Sequence, residues 1–260
     1  MREIWAAGDA YEAYMGRWSK PVAERFVRGL GMPAHSRWLD VGCGSGALSE
    51  TVHSVAEPSR LAGLDPSAGF LSVARDRITG TRSAFVVGDA GSLPFSDHAF
   101  DVVVSGLALN FVLDPSQAVA EFARVAPVVA AYVWDYAGGM EMLSHFWDAA
   151  VALDPAVDEV DEKHRFPWCR PEPLGRLWAA AGLVDVAVEP IEISTVFADF
   201  DDFWRPFLGG QGPAPGYAMS LSDDHRAALR DLLRGRLPAE ADGSIPLTAR
   251  AWSVRGVAHR

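Results

Sequence analysis

The sequence predicts a doubly wound α/β fold, and three observations predict it. Short apolar runs alternate with helical stretches from Arg37 onward. The segment Asp40-Val41-Gly42-Cys43-Gly44-Ser45-Gly46 joins the first strand-like run to the first helical one. Phe100 to Ser105 is almost wholly apolar, as a parallel strand buried on both faces requires. Alternating strands and helices imply a parallel sheet, and right-handed crossovers place helices on both of its faces.

The elements follow in order. Residues 1–35 carry Trp5, Tyr11, Tyr14 and Trp18 and read as helices ahead of the sheet. Trp38 to Val41 is a strand ending in glycines, and Gly46 to Val55 is a helix. Leu61–Leu64, Ala84–Val87 and Phe100–Ser105 are strands, with a helix over Ala68–Ile78 between the first two. Pro115 opens a helix that runs to Val125, since proline lacks only an N–H that the first turn does not use. Val128 to Trp134 is the fifth strand. After Asp135 the rhythm breaks. Met140–Leu153 is helical, Asp154–Pro173 an acidic loop, and Pro173–Ala181 a helix stopped by Gly182. Val184–Val196 alternates as a strand, and Asp199–Phe207 is a short helix. Leu208–Gly216 (LGGQGPAPG) reads as a loop able to serve as a lid. Ser222 caps a helix to Leu237, and Ile245–Val257 closes as a strand.

Composition narrows the function. Of 260 residues, 49% are apolar, enough for a buried core. The net charge of −11 disfavours a phosphate backbone as partner, so no nucleic acid is expected. The longest apolar stretch, Val125 to Trp134, is too short to span a bilayer. Two cysteines, Cys43 and Cys169, make no disulfide framework and fit a reducing compartment. With no signal-peptide pattern at the N-terminus, the expectation is a cytoplasmic protein, monomeric or homodimeric.

The glycine segment carries the chemistry. Glycines let the backbone turn tightly and approach a ligand, and the following helix offers free N–H groups and a positive dipole end. Ligands of open α/β sheets bind at the carboxyl ends of the strands. Asp65 ends the second strand, where a carboxylate accepts both hydroxyls of a ribose, and Asp89 ends the third. Gly42, Gly44 and Ala47 also satisfy the dinucleotide pattern. A nicotinamide-dependent oxidoreductase is nonetheless disfavoured by the acidic Asp40 two residues before the first glycine, by Asp89, and by Pro66-Ser67 after Asp65.

The runs LDVGCGSG, LDPSAGFL and VVGDAGSLPFSDHAFDVVVSGLALNF, in order over residues 36–135, resemble the class I S-adenosylmethionine (SAM)-dependent methyltransferases. The resemblance implies a Rossmann-like seven-stranded sheet in the order 3-2-1-4-5-7-6. Its last strand would be antiparallel, with N-terminal helices and a helical insertion between the last two strands. It implies one domain over 1–260: an N-terminal helical lid (1–35), a cofactor-binding core (36–136), and a substrate-side extension (137–260) with an insertion at about 199–240. It further implies that Asp40 and Gly42, Gly44 and Gly46 line the methionine half of SAM. Asp65, with Pro66 beside it, would hold the ribose and Phe70 would pack on adenine. Asp89 and the Ala90 backbone would meet the adenine amino group, and Ser105 and Leu107 would border the methionine end. Where the family often has Pro-Gly-Gly before its fifth strand, this chain reads Arg124-Val125-Ala126-Pro127.

Other candidates are weaker. Tyr14 and Arg17 sit where a lid would reach the methionine carboxylate, although aromatics at helical spacing more often pack on a core. Asp135 and Tyr136 end the fifth strand on the ligand side and are candidates to orient or deprotonate an acceptor. His145 shares a helical face with Glu141 and Asp148 and is a third candidate base. That trio lacks the histidine pair of a zinc motif, so no metal is expected. Methyl transfer needs alignment above all, and orientation alone contributes about 7–11 kcal/mol. The expected activity is transfer from SAM, leaving S-adenosylhomocysteine, to an apolar or aromatic small molecule. Trp147, Phe166, Trp168, Trp204, Phe207 and Tyr217 are expected to line its pocket. The alternatives are a SAM-binding regulator, lyase or cyclase without methyl transfer, and the oxidoreductase disfavoured above.

Overall fold

The structure, a computed structural model, describes residues 15–210 and 212–258. Seven strands form one sheet: β1 (Arg37–Val41), β2 (Arg60–Asp65), β3 (Ser83–Val87), β4 (Val102–Gly106), β5 (Val128–Trp134), β6 (Leu183–Phe197) and β7 (Ile245–Ala258). Their order is β3-β2-β1-β4-β5-β7-β6, with β1 to β5 parallel and β7 antiparallel to β5, as expected. Helices α1 (Arg17–Leu30), α2 (Ala47–Val55), α3 (Ala68–Arg77), α4 (Pro115–Val125), α5 (Glu141–Leu153), α6 (Glu162–Arg165) and α7 (Pro171–Ala180) precede β6. Three more, α8 (Phe200–Trp204), α9 (Pro213–Ser220) and α10 (Asp223–Arg236), lie between β6 and β7. No helix of the described residues is long and apolar enough to cross a membrane.

The chain divides into two compact units. One holds residues 19–134, 168–191 and 251–258; the other holds 15–18, 135–167 and 192–250. In the first, Val102, Val103 and Val104 are fully buried, so β4 carries apolar side chains on both faces. Each such valine contributes about 1.5–3 kcal/mol through burial. Trp178 of α7 anchors its helix by donating its indole N–H to the Val129 carbonyl at 3.1 Å. Arg37 and Asp101 form a forked ion pair that ties the start of β1 to the turn before β4. In place of the family's Pro-Gly-Gly turn, Ala126 caps α4 in extended conformation and Pro127 leads straight into β5.

The second unit has an aromatic core. Phe146 stacks on Phe207 at 4.4 Å, Phe203 meets Phe207 at 5.5 Å, and Trp147 lies 5.7 Å from Tyr217. Trp147, Phe166, Trp204 and Phe207 are buried. Their rings pack on one another and supply apolar surface that the short helices around them lack. Two expectations change. Residues 213–216 of the expected lid loop belong to helix α9, with Pro213 in its first turn after Gly212 at φ 90°. The acidic stretch 154–173 contains a 3-10 turn over Pro155–Val160 and helix α6, each started by an aspartate side chain that accepts a backbone N–H.

Glu162 in α6 is buried, and its Oε2 accepts the indole N–H of Trp147. Burial pushes its carboxyl up to about 7, against the Trp147 hydrogen bond, which works downward. A carboxyl raised in the folded state stabilises fully below its ordinary value of 4.5, and that stabilisation is lost as pH rises through 7. Glu162→Gln is therefore expected to flatten the fall in melting temperature across that window. A melting curve as steep in the variant as in the wild type would refute the assignment.

Candidate functional site

The glycine segment is pinned to the sheet from below. Gly42 and Cys43 both donate their N–H to the Leu64 carbonyl of β2, at 2.7 and 3.1 Å. Gly46 donates to Cys43 at 2.8 Å and opens α2. A Cβ on Gly42 (φ 74°) would stand 2.5 Å from the Ala108 Cβ, so the loop after β4 closes against this turn. Gly44 differs: its φ is 52°, and a Cβ there would meet nothing within 4 Å. Open space beside a backbone N–H at the carboxyl end of a parallel sheet is what a bound cofactor requires.

Two carboxylates sit at the strand ends. Asp65 is buried, accepting the Gly44 N–H on Oδ2 at 2.9 Å and the Ser67 N–H on Oδ1 at 2.8 Å. Two of its roughly four acceptor positions remain for a ligand. Asp40 is fully buried; its Oδ2 accepts from Ser49 at 2.7 Å, while its Oδ1 has no partner. Burial, opposed by the Ser49 hydrogen bond and reinforced by the charge of Asp65, pushes this carboxyl up to about 7. An unpartnered buried oxygen is costly and calls for a donor.

The remaining expected contacts lie in the same unit. Pro66 is exposed and Phe70, in the first turn of α3, is half-buried. Asp89 is exposed and turns its Oδ1 back onto the Gly91 N–H at 2.7 Å, with Ala90 between them. Ser105 is buried, and Leu107 takes a left-handed backbone (φ 57°), rare for a bulky residue and costing about 1–2 kcal/mol. The Leu107 N–H is held by the Tyr132 carbonyl at 2.8 Å.

The other candidates belong to the second unit. Tyr14 lies outside the described residues. Arg17 donates through Nη1 to Asp202 Oδ1 at 2.8 Å. Asp135 is buried and doubly engaged: Arg250 meets its Oδ2 through Nε and Nη2 at 2.8 and 2.7 Å, and the Ala137 N–H meets Oδ1 at 3.1 Å. Tyr136 rests on Phe166 with ring centroids 5.0 Å apart. His145 is half-buried on α5, whose Glu141 accepts the Thr248 N–H at 2.6 Å, so that carboxylate fixes the helix to β7.

Ser49, Ala108 and Asn110 escaped the sequence reading. Asn110 is buried with its Nδ2 unpartnered. The signal was a lone amide in the apolar run Leu107-Ala108-Leu109-Asn110-Phe111-Val112-Leu113.

Residues 39–127, which span this whole arrangement from β1 to α4, match a family model described as a methyltransferase domain. That stretch is similar to a methyltransferase domain, and the seven-stranded sheet as a whole has the strand order of the class I methyltransferase fold. The residues fit SAM as the cofactor of such a domain: the space beside Gly44, the free acceptor capacity of Asp65 and the orphaned Asp40 Oδ1 provide room, hydroxyl acceptors and a site for a cationic group. A demethylmenaquinone methyltransferase of Roseiflexus castenholzii is 34% identical over 37% of this chain and 40% of its own, so the match spans under half of that relative. A malonyl-[acyl-carrier protein] O-methyltransferase of Halorhodospira halophila is 25% identical over 93% of this chain and 83% of its own. A Haemonchus contortus phosphoethanolamine N-methyltransferase 2, solved with SAM, shares the fold with TM-score 0.60 at 19% identity, over 97% of this chain and 56% of that one.

The open space at Gly44 gives the methyltransferase domain a sharp test. Gly44→Ala forces a left-handed alanine and is expected to cost about 1–2 kcal/mol of stability. The added methyl also enters space needed by the cofactor, so S-adenosylhomocysteine affinity is expected to fall by about tenfold or more. Calorimetric titration that finds unchanged affinity in a folded variant would place the cofactor elsewhere.

Proposed function

We propose that this protein is a SAM-dependent methyltransferase acting on a small molecule with an apolar or aromatic body. The observation that carries the reading is the Gly44–Asp65–Asp40 arrangement, a pinned glycine turn with one buried carboxylate holding it and another offering an unpartnered oxygen. SAM supplies a methyl group on a positively charged sulfur, open to in-line displacement. The chain's own residues do the rest. Asp65 and the Gly44 backbone bind and orient, Asp40 receives a cationic group, and Leu107, strained but held by Tyr132, borders the reacting end. The half-buried rings of Trp18, Tyr136 and Tyr217 in the second unit support an apolar or aromatic acceptor.

Asp135, with both oxygens engaged, serves to position the end of β5 against β7. Tyr136 and His145 then remain as candidates for a proton acceptor, if the acceptor atom needs one. The test is formation of S-adenosylhomocysteine from SAM over a panel of hydroxylated and aminated aromatic compounds. Acceptor-dependent product supports the reading; tight SAM binding with no product from any acceptor favours a SAM-binding protein without methyl transfer.

A further inference from the structure

Asp40 has one oxygen held and one oxygen open. The Ser49 hydroxyl donates to Oδ2 at 2.7 Å, both residues are fully buried, and Oδ1 has no partner. Ser49 lies in the first turn of α2, where the N-cap is Gly46 and no side chain caps the free N–H groups. The Asp40 carboxylate stands in for that cap: the hydroxyl and the backbone N–H of Ser49 both favour its ionised form. Asp65, by contrast, is held by two backbone N–H groups, those of Gly44 and Ser67. All of these residues belong to the unit of residues 19–134, 168–191 and 251–258.

Burial is the largest influence on this carboxyl and pushes it up to about 7, and the Ser49 hydroxyl is the largest influence against that rise. Asp65, at the end of β2, adds to the rise through its like charge. Cys43 in the glycine turn is pushed up by burial and by both acids, with Arg75 of α3 acting against them. The strands on either side of β1 set Gly63 and Val104 against Asp40, and neither is charged. Glu50, the next residue of α2, is half-exposed and pairs with Arg77 of α3. Ser49 is thus the group that draws Asp40 toward the carboxylate, and it does so on one oxygen only.

We propose that Ser49 is a positioning residue for the cofactor: by holding Oδ2 it leaves Oδ1 to receive the α-ammonium of the methionine chain, and binding then releases the Asp40 proton. The inference rests on the reading of SAM as the cofactor. The proton balance closes, since the ammonium keeps its protons and donates one N–H to Oδ1, while the carboxyl proton passes to the buffer. A cation at Oδ1 favours the carboxylate, so the bound form titrates lower than the free one. The bound state therefore carries fewer protons, and affinity is full above pH 7 and falls as pH drops below it. S-adenosylhomocysteine carries the same ammonium, whereas 5′-methylthioadenosine lacks the whole amino-acid end.

The test uses the full chain, as wild type, Ser49→Ala, Ser49→Thr and Asp40→Asn. Affinities for S-adenosylhomocysteine and 5′-methylthioadenosine are measured by calorimetry from about pH 5.5 to 7.5, in buffers of different ionisation enthalpy that count released protons. The Asp40 carboxyl is titrated by carbon-13 NMR in the cofactor-free protein, with Asp40→Asn as the assignment. Wild-type affinity for S-adenosylhomocysteine is expected to rise by about tenfold between pH 5.5 and 7, with release of a proton, and that for 5′-methylthioadenosine to stay within twofold. Ser49→Ala is expected to move the Asp40 midpoint up by about one pH unit, in the free protein and in the binding profile alike. Ser49→Thr keeps the hydroxyl and should hold the wild-type midpoint. An unmoved midpoint in Ser49→Ala, or an affinity lowered by the same factor at every pH, would make Ser49 a packing residue only and overturn the proposal. Equal pH dependence for the two ligands would overturn the assignment of Oδ1 to the ammonium. Failure of the wild type to bind S-adenosylhomocysteine at all would instead remove the SAM reading and the ammonium with it, while the NMR midpoint still decides whether Ser49 governs Asp40.

Discussion

Arg250→Ala is expected to destabilise the protein by about 3 kcal/mol, lowering its melting temperature by roughly 6–12 °C. Removing one partner of a buried ion pair leaves the other charge desolvated and uncompensated, and that charge is Asp135, buried at the end of β5. The figure sits at the low end for such pairs because Arg250 is itself about one-third exposed and the gap left behind admits water. The geometry around Asp135 leaves little room for adjustment. A Cβ on Gly139 would stand 2.6 Å from Asp135 Oδ2, so the turn over 135–139 is wrapped tightly on the carboxylate. Asp135→Asn keeps the shape and loses the charge. If Asp135 positions rather than catalyses, the asparagine variant should retain methyl transfer within about tenfold and show the wild-type pH profile. A loss of about 10³-fold or more, with disappearance of a basic limb, would make it a general base instead. Asp135→Ala combined with Arg250→Ala should recover part of the stability that Arg250→Ala loses, as a double-mutant cycle requires of a coupled pair.

Asp65→Ala is expected to weaken S-adenosylhomocysteine binding by roughly 10- to 150-fold, the equivalent of about 1.5–3 kcal/mol for hydrogen bonds to a charged group. Two losses combine. The ligand loses a carboxylate acceptor, and the Gly44 and Ser67 N–H groups lose the anchor that holds the turn in its binding shape. Calorimetric titration of wild type and variant with SAM, S-adenosylhomocysteine and NAD checks this directly. Unchanged nucleotide affinity would show that Asp65 only braces the loop, and a preference for NAD would overturn the methyltransferase reading itself. Asp65→Asn should fall between the two, because its amide brings a donor face to face with one of the two backbone N–H groups.

How far the sequence went depended on how local each decision was. Helix α4 and strand β5 have the boundaries the sequence predicts, since Pro115 fixes one end and Ala126-Pro127 separates the two. The glycine segment was legible for the same reason: its turn, its strand and its helix are consecutive residues. Helix α9 was not. Its glycines and prolines are loop formers by local preference, and burial of Ala214, Pro215 and Ala218 within their unit decides for helix. The aromatic residues of the second unit show the same limit. Their spacing announces apolar faces, but a face that lines a pocket and a face that fills a core have identical sequences, and mutual contact of Phe146, Phe203 and Phe207 is a fact of packing.

The sequence by itself determined the alternation of strands and helices, the glycine turn and the acids at the strand ends, because each follows from backbone freedom and side-chain period over a few neighbouring residues; the order of the sheet was implied only by the family resemblance. Only the tertiary structure decided which polar atoms are satisfied. Asp135 is occupied by a residue 115 positions away, Arg17 is half-occupied by one 185 positions away, and the oxygen of Asp40 is left without a donor. Hydrogen-bond satisfaction depends on atoms brought within about 3 Å by the fold, and separation along the chain carries no record of that distance.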